Sequence, residues 1–174
     1  MPAGPAGGTA VGQPADVGVR FLARLIDYVV LFIVVTIVVS VVVVRMVMNA
    51  HVAPMGLGAV SFVAGVVSAV LRAAIYLGYF ALMESGTGQT LGKMALGLRV
   101  QGPGGGNPTL EQAVRRNIFT AFGVVAIVPV IGGLVGWLAQ VVAMIMCGVT
   151  IGSSPVREGW HDRFAGATSV VRSR

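Results

Sequence analysis

Four ionisable residues stand where an apolar chain tolerates them least. In "GVRFLARLIDYVVLFIVV", residues 18–35, Arg20, Arg24 and Asp27 fall at i, i+4 and i+7, on one face of a helix. Their chemistry is ionic: guanidiniums near headgroups that neutralise a carboxylate, or a carboxylate that takes up and releases a proton or cation. Arg72 is the fourth, midway along the apolar stretch 59–83, where a charge costs roughly 2.5–3.5 kcal/mol on insertion scales. Ser61, Gly65, Ser68, Tyr76, Tyr79 and Met83 share its helix face. Small and polar residues on a membrane helix point at neighbouring helices rather than at lipid. Asp27 is the carboxylate nearest to Arg72 in depth, so Asp27 is expected to pair either with Arg20 and Arg24 of its own helix or with Arg72 of the second.

A second candidate is "SGTGQTLGKMALGLRV", residues 85–100, with Gly88, Gln89, Thr90, Gly92 and Lys93 as its motif. A phosphate-binding P-loop needs Gly five positions before Gly92, where Thr87 stands, and Ser or Thr after Lys93, where Met94 stands. A nucleotide site is therefore excluded. The expected role is a backbone turn lying flat on the membrane, with Lys93 and Arg99 toward anionic headgroups. In "REGWHDRFAGATSVV", residues 157–171, Asp162 lies beside His161. His161 and His51 are both expected to be solvated. No Ser/His/Asp order, no paired catalytic carboxylates and no metal-ligand spacing appear, so neither an enzyme nor a cofactor is expected. The single Cys147 excludes an intrachain disulfide.

The elements that position these residues follow from composition. Fifty-six per cent of 174 residues are hydrophobic and 10% charged, with mean hydropathy +0.89, too little charge to cover a soluble surface. The chain belongs in a bilayer. Its net charge of +6 is scattered beside apolar stretches, which fits positive-inside topology and not nucleic acid. Residues 1–17, rich in Gly, Ala and Pro, read as a disordered tail.

The expected fold is all-α, a transmembrane four-helix bundle of two long spans, about 21–44 and 59–83, plus a tight C-terminal hairpin, about 115–131 and 134–152. A crossing needs about 20 residues, and Pro129, Gly132 and Gly133 punctuate the turn of the hairpin. Four crossings put nearly every basic residue on the cytoplasmic side with both termini, and Trp137 and Trp160 near opposite interfaces. The short cytoplasmic loop has room for a β-hairpin beginning at "GLRVQ", 97–101. Thr109 and Gln112 form a capping box that starts a helix carrying Arg115 and Arg116. Residues 153–174 are expected to lie on the inner interface. Gly132, Gly136, Ala139 and Ala143 form a small-residue face, for packing within the chain or for a homo-oligomer.

"RFLARLID", "GTGQTLGKMALGLRV", "RRN" and "HDRFAGATSVV", in that order, resemble the RDD family of bacterial membrane proteins over about residues 18–171. The resemblance implies a multi-spanning protein of the bacterial inner membrane, with Arg20, Asp27 and Asp162 as the name-giving residues. It implies transport of an unidentified ligand, sodium/proton exchange among the suggestions. Two functions are carried forward: transport or ion exchange using Asp27, and a non-transporting structural or accessory protein that docks a partner or senses the membrane. In the second, Arg20 and Asp162 tie the first helix to the C-terminal segment.

Overall fold

The computed structural model describes residues 12–49, 56–127 and 131–173. The chain is mostly helical, and three helices are long and apolar enough to cross a membrane: α1 (Val17–Asn49), α2 (Gly56–Thr87) and a later one, α5 (Gly132–Ser153). On α1, Ala23, Asp27, Leu31, Val35 and Val39 are buried at four-residue spacing. That i+4 row is the face a helix turns to its neighbours. Phe32, at 67% exposure, and Ile37 stand out on its other sides, where lipid covers them.

Between α2 and α5 the chain makes α3 (Leu91–Ala95), β1 (Leu98–Gln101) and α4 (Leu110–Asn117). The capping box appears as expected: Gln112 N–H donates to Thr109 Oγ1, and Thr109 N–H to Gln112 Oε1. After α5 come α6 (Trp160–Phe164) and β2 (Ser169–Arg172).

Three expectations change. The third span, expected as an α-helix over 115–131, is α4 followed by a 3-10 helix, Ile118–Ile127. At about 2.0 Å per residue, those ten residues cover about 20 Å, so the four-helix bundle is replaced by three long helices and a shorter, stretched segment between α2 and α5. Pro129 lies outside the described residues, as does His51. The β-hairpin is absent among the described residues, because β1 pairs antiparallel with β2, Val100 opposite Val170. The C-terminal segment therefore folds back onto the loop. Finally, the end of the expected tail is ordered. Pro14 bridges to Val171, and Ala15, fully buried, donates to Val170 O. Residues 1–11 lie outside the described residues.

The N-terminal segment and β2 thus meet at one end of the helices. Ala15, Ala23, Leu98, Val100 and Val170 form a small apolar core there, a platform beneath the polar residues.

Candidate functional site

Beside that platform lies a cluster of buried charges drawn from every neighbouring element. α1 supplies Arg20, Arg24 and Asp27; α2 supplies Tyr79 and Glu84; α3 and its cap supply Thr90, Gly92 and Lys93. α4 brings Arg116 and Asn117, and α6 brings His161 and Asp162. A buried charge is tolerated only where partners surround it, and each carboxylate here has several.

Asp27, fully buried, accepts from Tyr79 Oη at 2.7 Å, Thr90 Oγ1 at 2.5 Å and Gly92 N at 2.7 Å. Gly92 is required by the close approach: a Cβ there would stand 2.0 Å from Ala23 O. The loop glycine therefore lies directly on α1. Gly88, at φ +73°, makes the preceding turn, and Gln89 Nε2 donates to Leu98 O at 2.7 Å.

Glu84, also fully buried, pairs with Lys93 Nζ and accepts from Asn117 Nδ2 at 2.9 Å; Arg116 Nε is 3.7 Å away. Asp162 accepts from Gly159 N at 3.0 Å and pairs with Arg20 Nη1 at 3.5 Å. Arg116 Nη2 stands 3.0 Å from its other oxygen, without hydrogen-bond alignment. Arg116 thus bridges two carboxylates. Arg20 also donates to Ala15 O and Val170 O, at 3.1 and 3.0 Å, fastening the N-terminal segment and β2 to α1. Arg24 Nη1 donates to Asn117 Oδ1 at 2.9 Å, and its guanidinium lies 3.5 Å above the Phe80 ring, a cation–π arrangement.

The electrostatics follow from burial. Desolvation pushes Lys93 down to about 8 against the pull of Glu84. It pushes His161 down to about 4 although Asp162 adjoins it, since burial disfavours the imidazolium. Burial alone would raise the Asp162 carboxyl; the opposing charges, Arg116 foremost, hold it below its ordinary value.

Several site expectations are corrected here. Among the described residues Asp27 has no ion pair, with Arg72 or with Arg20 and Arg24; hydroxyls and a backbone N–H answer it instead. Arg72 is exposed in the single chain, on the wall of a cleft of about 840 Å³ between α2 and α5, with Tyr76, Ser68 and Gln140. Lys93 turns inward to Glu84 rather than out to headgroups, because a fully buried carboxylate needs a close cation. His161 is 8% exposed, edge-on to Phe119 and Trp160, and not solvated. Gly132, Gly136 and Ala143 are buried within the chain.

Sequence reasoning passed over Glu84 and Asn117. Glu84 directly follows the expected span 59–83, and the available signal is an acidic residue ending an apolar stretch nine positions before a lysine.

The RDD family model matches residues 14–166, the span that contains every charged side chain of the cluster. No curated protein and no solved structure matches the chain. With apolar helices of membrane length and a family match over most of its sequence, this membrane protein belongs to the RDD family.

Proposed function

We propose that this chain is a non-transporting structural or accessory protein of the bacterial plasma membrane, multi-pass, with both termini in the cytoplasm and no enzymatic activity. One observation carries the reading. The Asp27 carboxylate, which a cation or proton exchanger of this design would load and unload, is fully buried and already accepts three hydrogen bonds. Releasing it would strand Thr90, Tyr79 and the Gly92 N–H, at about 1–3 kcal/mol for each group left unsatisfied. The cluster then serves as a rigid end-plate, presenting its outer surface to a partner or to anionic headgroups.

Purified protein in liposomes loaded with a pH- or sodium-sensitive dye tests this. The expected traces match empty liposomes for wild type and Asp27→Asn alike; flux that depends on Asp27 would refute the reading. A second reading, transport, draws support from Arg72 in its cleft. It needs a homo-oligomer to enclose a path, and it predicts flux lost in Arg72→Gln instead.

A further inference from the structure

Between α1 and α5 the buried cluster leaves a cavity of about 120 Å³. Its lining includes Arg20, Arg24, Lys93, Arg116 and His161, with the exposed Phe21 among the apolar residues. No carboxylate lines it among the described residues. Three of these side chains carry buried nitrogens with no hydrogen-bond partner in the chain: Arg24 Nη2, Arg116 Nη1 and His161 Nδ1. The two guanidinium nitrogens are donors in any protonation state, and unpartnered buried donors are rare in native proteins and point to a missing acceptor.

Charge points the same way. Arg20, Arg24, Lys93 and Arg116 are gathered around Asp27, Glu84 and Asp162, one cation more than there are carboxylates. Arg24 is the odd one, since its oxygen partner is the neutral amide of Asn117. His161 adds no charge at neutral pH, because burial favours the uncharged imidazole.

We propose that this cavity seats a phosphate group, its oxygens accepting from the free guanidinium nitrogens of Arg24 and Arg116. Guanidinium forks match phosphate geometry, and two of them from separate helices suit an oxyanion with more than the two oxygens of a carboxylate. The volume holds about four waters at roughly 30 Å³ each, enough for one such group. A phosphodiester carries one negative charge and would balance the excess. Phe21 lines the cavity and is itself exposed on the flank of α1, a surface along which an acyl chain could continue. A phospholipid headgroup and free phosphate share this chemistry, and the test separates them.

Thermal unfolding of the delipidated full-length chain in neutral detergent is followed with added phosphatidylglycerol, inorganic phosphate, or chloride at matched ionic strength. One phosphate source raises the midpoint saturably and chloride does not. A response to the phospholipid alone assigns the site to a headgroup, and a response to inorganic phosphate assigns it to the free ion. Gly148 lines the cavity and a Cβ there meets nothing within 4 Å, so Gly148→Leu adds bulk at its wall without altering a charge. Arg24→Gln removes the excess cation. Each raises the half-saturating concentration at least tenfold; should Arg24→Gln not fold, Gly148→Leu decides. No saturable response, an equal one to chloride, or wild-type affinity in Gly148→Leu overturns the proposal.

Discussion

The backbone N–H of Gly92 donates to Asp27 Oδ1 at 2.7 Å, joining a loop glycine to a membrane-helix carboxylate 65 positions earlier. The contact explains why an acid occupies the opening turns of an apolar helix. It accepts from a loop that must lie against α1, and so fixes where the chain re-enters the bundle after α2.

Asp27→Asn keeps one acceptor oxygen and replaces the other with an N–H₂ group facing Thr90 Oγ1. Hydrogen bonds to charged groups contribute about 1.5–3 kcal/mol each, so a loss of about 2 kcal/mol is expected in detergent unfolding. A substitution without effect on stability would contradict the anchoring role.

Gly92→Ala should be at the upper end of the ~1–3 kcal/mol range for overpacking, or beyond it. The clash is with backbone, Ala23 O at 2.0 Å, which cannot swing aside. Gly104→Ala, whose Cβ meets nothing within 4 Å, is the control and should leave the unfolding midpoint within a degree or two.

Glu84→Gln removes the carboxylate that Lys93 and Arg116 share. Removing one partner of a buried ion pair typically costs about 3–5 kcal/mol, and this variant should express poorly. Adding Lys93→Met should recover much of the loss, because the stranded ammonium goes with it. A double variant no better than the single would show that the pair is not the cause.

His161 sets a pH dependence. Its folded pKa, about 4, lies below its ordinary 6.5, so above pH 6.5 neither state binds the proton and its full contribution is present. As pH falls from 6.5 toward 4 the unfolded chain binds a proton that the folded chain refuses, and stability drops. The drop is of the order of 3 kcal/mol. His161→Phe should flatten that window; a steep decline surviving in the variant would assign it to other groups.

Exchanging Arg20 and Asp162 should not restore what each single reversal loses. Arg20 also donates to Ala15 O and Val170 O, and Asp162 also accepts from Gly159 N. A carboxylate at position 20 would face two carbonyl oxygens. Full rescue in the swapped variant, read by unfolding midpoint, would reduce these residues to a simple pair.

What the sequence determined by itself was the solvent and the local order. A chain with so many Val, Leu and Ile and so few charges must enter a bilayer, and the positions of α1, α2 and α5 follow from its long apolar stretches. The Thr109–Gln112 cap was legible because its bonds close within four residues. The family, too, was legible in short motifs. Tertiary structure decided the rest. Asp27 finds hydroxyls 52 and 63 positions away, Lys93 turns inward, and β1 chooses β2 at the far end of the chain. Burial turned His161 from a surface base into a neutral interior ring. These outcomes depend on which polar groups several elements bring together out of water, and a buried charge accepts whichever partner the fold places beside it, not the one nearest in sequence or depth.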